Sequence, residues 1–173
     1  MSPHLRPLRR DDIEELRSID LVAHGEAWSY ALFVDQITEA CFRHRVAVDV
    51  DGAILGHGAT WQHGTALRLI NIAIAEDARG AGAATALLLD LFAGIDDMTE
   101  SVELEVRPAN RAAQRLYSRF GFVPVGIERG FYDRGDATGS CDALIMRIDD
   151  PADPAWRERL QAIARTLQEG AAA

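Results

Sequence analysis

The sequence lacks lysine altogether, since all 18 of its basic residues are arginines. This absence excludes the phosphate loop of Walker-type nucleotide-binding proteins, which needs a lysine after its second glycine. Cysteine is almost as scarce, because Cys41 and Cys141 are the only two in the chain. Two widely separated thiols make neither a disulfide framework nor a zinc site, and they favour a reducing compartment.

Basic residues are also fewer than acidic ones: 27 acidic and 18 basic residues give a net charge of −9. This balance argues against a surface built to bind nucleic acid. The sequence has no apolar run long enough to cross a membrane and no charged-then-apolar leader. Its five histidines have no metal-ligand spacing. We therefore expect a cytoplasmic protein that binds neither nucleic acid, membrane nor metal.

Helical and extended patterns alternate along the chain in the order β α α β β β α β α β β α. Apolar residues at helical spacing mark the helices, and apolar–polar alternation marks the strands. A strand, a crossover helix and a further strand favour one parallel pair. We therefore predict an α+β fold with a central mixed sheet, mostly antiparallel and of about seven strands, flanked by helices.

The predicted domain occupies residues 1–150, and an amphipathic helix with a short tail occupies residues 151–173. The apolar face of that helix carries Trp156, Leu160, Ile163 and Leu167. A stripe this apolar should not remain exposed, so we expect it to cover the domain or a second subunit.

A glycine-rich turn stands at the start of the predicted third helix, in the stretch "ARGAGAATALLLDLF" (residues 78–92). Gly80 and Gly82 let a ligand approach the backbone closely, and a helix N-terminus suits phosphate. The turn is not a dinucleotide fingerprint, because the third glycine of that pattern is missing. Taken alone, it is explained equally well by tight packing.

Residues 79–84, "RGAGAA", resemble the acetyl-CoA signature of the Gcn5-related N-acetyltransferase (GNAT) superfamily, Gln/Arg-x-x-Gly-x-Gly/Ala. The stretches "LEVRPANRAAQRLYSRFGF" (104–122) and "GFYDRGDATGSCDALIM" (130–146) resemble the ribosomal-protein alanine N-acetyltransferase (RimI) branch of that superfamily. The resemblance spans residues 5–148. It identifies the chain as a member of the superfamily and implies the GNAT acyl-CoA N-acyltransferase fold.

The resemblance implies that acetyl-CoA is the cosubstrate. The residues it assigns to acetyl-CoA are Ile72, Ala73 and Ile74 on the preceding strand, Arg79, Gly80, Ala81, Gly82, Ala83, Ala84 and Thr85 in the turn and helix, and Asn110 and Tyr117 further on. The family often has basic residues where Gly80 and Ala81 stand here. Phosphate binding must then rely on backbone amides, Arg79 and Thr85. Asn110 is also a suitable N-cap for the helix that follows it.

Two residues are candidates for the chemistry. In "SVELEVR" alternation places Glu103 and Glu105 on one face of a strand, a pattern that is typical of a solvated face. The sequence pattern around Tyr117 predicts a core residue. The resemblance instead implies that Glu105 is the general base, acting through a water, and that Tyr117 protonates the departing thiolate.

The acceptor implied by the resemblance is the N-terminal α-amine of a protein, such as the N-terminal alanine of a small-subunit ribosomal protein. Trp28 and Tyr132 then contact the peptide, while Glu26 is either a loop residue that lines the groove or a competing base. Two alternatives stay open: an acetyltransferase for a small amine or antibiotic, and a non-catalytic acyl-CoA-binding subunit. We expect a monomer or a weak homodimer.

Overall fold

Strands and helices follow one another in the predicted order. The computed structural model describes residues 3–133, 135 and 139–172 of the chain. Its elements are β1 (His4–Pro7), α1 (Ile13–His24), α2 (Tyr30–Thr38), β2 (Phe42–Val48), β3 (Ile54–His63), β4 (Ala66–Ile74), α3 (Ala83–Phe92), β5 (Ser101–Val106), α4 (Arg111–Phe120), β6 (Val123–Glu128), β7 (Ala143–Asp149) and α5 (Pro154–Ala172).

Within the described residues, seven strands form one sheet in the order β1-β2-β3-β4-β5-β7-β6. Only the pairing of β4 with β5 is parallel there, and α3 is the crossover between these two strands. The prediction of a mixed, mostly antiparallel sheet flanked by helices is thus confirmed. The last two strands do not simply extend the sheet, because β7 inserts between β5 and β6.

The parallel strands β4 and β5 part halfway along their length. Their pairing runs from Ala66 opposite Ser101 to Leu69 opposite Leu104, whereas β4 continues to Ile74. A bulge lies at the same place, since the register between β3 and β4 shifts so that Ile70 has no partner in the ladder. Bulges bend a strand and interrupt pairing. The sheet therefore has a split whose β4 side carries backbone groups free of β5.

Two apolar clusters hold the helices on the sheet. The larger cluster joins β4, β5 and β7 to α3, α4 and α5, with Leu88, Phe92 and Phe120 almost fully buried. The smaller one joins β2 and β3 to α1 and α2 around Phe33. The larger cluster thereby packs β4 and β5 against α3, α4 and α5, and the smaller one packs the neighbouring strands against α1 and α2.

Helix α5 packs against α3 and α4 of the same chain. Trp156 is buried in the larger cluster, its indole Nε1 donates to the Phe120 carbonyl over 2.8 Å, and Leu160 and Ile163 pack beside it. The apolar stripe thus covers the chain's own domain, which was one of the two predicted partners. In the described part of the chain, no helix has the length and apolar character needed to cross a membrane.

Candidate active site

A cavity of about 530 Å³ opens at the split between β4 and β5. Its walls come from α1, from the segment between α1 and α2, from the second half of β4, from the end of β5, from α4 and from the residues after β6. Since pairing with β5 ends at Leu69, the β4 backbone from Ile70 to Ile74 faces this space without a partner strand on that side.

Most of the residues singled out in the sequence line this one cavity. They are Glu26, Trp28, Ile72, Ala73, Ile74, Arg79, Ala84, Glu105, Asn110, Tyr117 and Tyr132. The remaining candidates lie beside it, in the glycine-rich turn and the first turn of α3: Gly80, Ala81, Gly82, Ala83 and Thr85. Residues that are as many as 106 positions apart in the sequence, from Glu26 to Tyr132, thus meet at the split.

Glu105 lies on the wall formed by β5 and does not belong to a solvated face. Its carboxylate accepts a hydrogen bond from the guanidinium of Arg68 on β4, and its side chain is 9% exposed. Glu103, two residues earlier, instead faces Arg147 at 3.6 Å and does not line the cavity. The two glutamates of the "VELEV" alternation in this strand therefore have different environments.

Tyr117 is buried in α4 and lines the cavity. Burial raises the pKa of its phenol well above the ordinary value, and Tyr132 raises it further. The ring also packs edge-on against Phe122 at 5.9 Å, so the prediction of a core residue is correct for the ring. Because the pKa is raised, the hydroxyl keeps its proton at neutral pH and remains a donor.

Tyr132 and Glu26 both line the cavity, and the exposed Glu26 lies at its mouth. The Arg107 guanidinium carbon lies 3.8 Å from the centre of the Tyr132 ring, in a cation–π contact. Burial raises the pKa of the Tyr132 phenol, the charge of Arg107 opposes this shift, and the charge of Glu26 adds to it. Glu26 itself is exposed. Trp28 packs against Phe33 at 5.9 Å and is anchored in the smaller cluster.

The first turn of α3 presents its backbone amides without a side-chain cap. Gly82 is the N-cap residue, with a left-handed φ of 87°, and none of the described side chains accepts from the amides that follow. Arg119 of α4 brings a cation to this turn, because its Nη2 donates to Thr85 Oγ1 over 3.3 Å. Leu167 of α5 lies over the turn, where a Cβ atom at position 82 would be 2.7 Å from its Cδ1.

Sequence reasoning missed several residues at this site. Arg68, Asp20 and Asn71 line or border the cavity, and Arg119 borders the α3 turn. No local motif marks them, because their partners come from other elements. Asn110, by contrast, has the predicted capping role, since its Oδ1 accepts from the Ala113 amide over 3.1 Å. Among the residues that the structure describes, no group of His, Cys, Asp and Glu side chains could hold a metal ion.

This architecture is that of an acetyltransferase, and comparison with known proteins agrees. Residues 10–122 match the acetyltransferase (GNAT) family, so the chain belongs to that family, as predicted.

Individual relatives match most of the chain. A protein of Bacillus subtilis (strain 168), provisionally named ribosomal protein bS18-alanine N-acetyltransferase, is 30% identical over 148 residues, which is 83% of this chain and 93% of the relative. The N-alpha-acetyltransferase of Saccharolobus solfataricus is 30% identical over 156 residues, with 82% and 90% covered. The crystal structure of the ribosomal-protein-S18-alanine N-acetyltransferase from Escherichia coli superposes with a TM-score of 0.72 at 26% identity, covering 86% of this chain and 94% of that one.

Proposed function

We propose that this protein transfers the acetyl group of acetyl-CoA to the N-terminal α-amine of another protein, and that the acceptor is the N-terminal alanine of a small-subunit ribosomal protein. The observation that carries this proposal is the cavity at the split in the sheet. Glu105, Tyr117 and the β4 backbone groups that are not paired with β5 all face this cavity. The names of the relatives support the acceptor. We further propose that the protein acts in the cytoplasm, as a monomer or weak homodimer.

The residues at the split fit acetyl-CoA. Backbone groups of Ile72–Ile74 can pair with the amides of the pantetheine arm as an added strand would. The uncapped amides at the start of α3, with Arg79 and Arg119 nearby, suit the phosphates. Arg119 offsets the absence of basic side chains at positions 80 and 81. When bound, acetyl-CoA supplies the thioester whose acetyl group is transferred.

Glu105 and Tyr117 divide the proton transfers in this proposal. The Glu105 carboxylate accepts a proton from the acceptor ammonium, directly or through a water, and leaves a neutral amine able to form the C–N bond. As the C–S bond breaks, the Tyr117 hydroxyl gives its proton to sulfur and regains one from the nitrogen. The second Glu105 oxygen is available for this role, because Arg68 is hydrogen-bonded to the first.

The raised pKa of Tyr117 leads to a prediction about its ionisation. We expect the phenol to remain protonated at pH 10, the ordinary value for a tyrosine, because burial disfavours its anion. Ultraviolet titration of the tyrosinate band in the wild type and in Tyr117→Phe measures this directly. The two proteins should show the same absorbance change up to pH 10. A smaller change in the variant would contradict the prediction, because Tyr117 would then ionise in that range.

A second prediction concerns Arg119. We expect Arg119→Gln to weaken acetyl-CoA binding about three- to tenfold, because the variant loses one cation at the α3 turn but keeps a donor for Thr85. Isothermal titration with acetyl-CoA gives the dissociation constant. Arg10→Gln is the matched control, since Arg10 is an exposed arginine before α1 and should have no effect. Equal affinity of Arg119→Gln and the wild type would remove Arg119 from the phosphate site.

The proposed activity is tested with acetyl-CoA and a panel of acceptors. The panel contains peptides that begin with alanine, serine or methionine, together with free lysine and polyamines. We expect turnover on peptide α-amines, with alanine the preferred first residue, and mass spectrometry should locate the acetyl group at the N-terminus. Turnover on lysine or polyamines alone would make the protein a small-amine acetyltransferase. Binding of acetyl-CoA without any turnover would make it a non-catalytic subunit.

A further inference from the structure

A row of buried polar side chains leads from the interior of the sheet to the cavity. Gln36 of α2 contacts His44 Nδ1 on β2, His44 Nε2 lies 3.0 Å from His57 Nδ1 on β3, and His57 Nε2 lies 3.0 Å from Asp20 Oδ1 on α1. All four are at least nine-tenths buried. The chemistry proposed above uses none of them.

Asp20 is the member of this row that reaches the cavity. Its Oδ1 atom also accepts from Asn71 Nδ2 at 3.0 Å, and Asn71 Oδ1 in turn lies 3.0 Å from His24 Nε2. Asp20, Asn71 and His24 all line the cavity that Glu105 and Tyr117 line. The row therefore ends at the cavity in which the proposed function places the acceptor amine.

The two oxygens of Asp20 have different surroundings. Oδ1 is held by His57 and Asn71, whereas Oδ2 is buried and has no hydrogen-bond partner among the described residues. Leaving a buried acceptor unpaired costs about 1–3 kcal/mol, and more when it is charged. Most buried polar atoms avoid that cost, so an exception calls for an explanation. A ligand that donates a hydrogen bond to Oδ2 provides one.

The other carboxylates of the cavity are less suited to bind a cation. Within the described part of the chain, its lining carboxylates are Asp20, Glu26 and Glu105. Glu105 is paired with the guanidinium of Arg68, and Glu26 is exposed at the mouth. Asp20 is 1% exposed and has no arginine partner there. His57, which contacts Asp20 Oδ1, also contacts His44. Burial holds the pKa of His44 well below its usual range, so His44 is neutral.

We infer that Asp20 Oδ2 binds the protonated α-amine of the acceptor peptide and aligns its nitrogen before Glu105 takes the proton. This assignment rests on the proposed function. His57 and Asn71 are positioning residues, because they fix Oδ1 and thereby the orientation of the carboxylate. The role is one of binding: Asp20 contributes to the affinity for an amine, and Glu105 contributes to the rate of the chemical step.

Asp20→Asn in the full-length protein tests the inference, because it keeps the shape of the side chain and removes the charge. We expect KM for an alanine-first peptide to rise about 10- to 100-fold, the usual effect of losing a hydrogen bond to a charged group, with a smaller fall in kcat. The thermal shift with acetyl-CoA should be unchanged. Asp35→Asn is the matched control, since Asp35 is an exposed aspartate on α2.

A peptide that lacks the α-amino group of its first residue separates charge recognition from shape. As a competitive inhibitor, this desamino peptide should have the same inhibition constant against the wild type and Asp20→Asn. If its constant rises in parallel with KM, Asp20 acts on the shape of the cavity and the inference is wrong. An unchanged KM in Asp20→Asn would also overturn it.

Two further outcomes keep the test decisive. If Asp20→Asn does not fold, the wild type alone provides the comparison: the desamino peptide should bind at least tenfold more weakly than the amine peptide, measured by isothermal titration, and equal binding refutes the inference. If the wild type acetylates no peptide, the proposed function fails first. If it acetylates peptides and both proteins share one KM, the inference alone fails.

Discussion

Glu105→Gln is expected to lower kcat on a saturating peptide by about 10²–10⁴-fold, the usual contribution of a general base. The carboxamide retains an acceptor for Arg68, so the contact between β4 and β5 should survive. Acetyl-CoA binding should survive as well, because backbone amides and the α3 turn hold the cosubstrate in our proposal. Initial rates of thiol release, measured beside the acetyl-CoA thermal shift, separate the two effects.

Two further variants show whether the effect on kcat is specific to Glu105. Glu103→Gln removes a carboxylate from the same strand, but Glu103 lies against Arg147 and does not line the cavity, so kcat should be unchanged. Glu26→Gln should raise KM for the peptide more than it lowers kcat, because Glu26 lies at the mouth. Loss of the acidic limb of the pH–rate profile in Glu26→Gln, with that limb kept in Glu105→Gln, would make Glu26 the base.

Local signals in the sequence predict the elements of this fold well. Asn110 caps its helix as expected, and Ser29 caps α2 in the same way, because a short polar side chain can reach the amide three residues later. Gly82 and Gly121 adopt the left-handed conformation that glycine accommodates at helix ends. The parallel pairing of β4 and β5 follows from the crossover helix between them. Apart from that pairing, each of these features depends on residues that are close together in the chain.

The surroundings of the catalytic candidates could not be predicted in this way. Alternation places Glu105 on a face of β5, but only the register with β4 brings Arg68, 37 residues earlier, to its carboxylate. The same applies to the hydrogen bond between Asp20 on α1 and His57 on β3. His44 and His57 have no metal-ligand spacing in the sequence. Their hydrogen bonds join elements that no periodicity in the sequence relates to one another. The family resemblance supplied Glu105, yet it was silent about these partners.

Trp156→Ala should destabilise the protein by about 3–5 kcal/mol, which is the usual cost of truncating a large buried aromatic residue. Trp156 is 7% exposed and packs against Phe92, and its indole nitrogen donates to the Phe120 carbonyl. Its loss leaves a cavity between α5 and the larger cluster and an unpaired carbonyl at the end of α4. Urea denaturation gives the free energy of unfolding, and the loss is a large part of the roughly 5–15 kcal/mol of a typical domain.

Trp156→Phe divides this cost into its two sources. The phenyl ring keeps most of the apolar contact but cannot donate to the Phe120 carbonyl, so a loss of about 1–3 kcal/mol is expected. Helix α5 also reaches the α3 turn, because Leu167 lies over Gly82. Release of α5 by Trp156→Ala should therefore change the thermal shift with acetyl-CoA, whereas Trp156→Phe should leave that shift close to the wild-type value. Equal stability of Trp156→Ala and the wild type would mean that docking of α5 contributes nothing to the folded state.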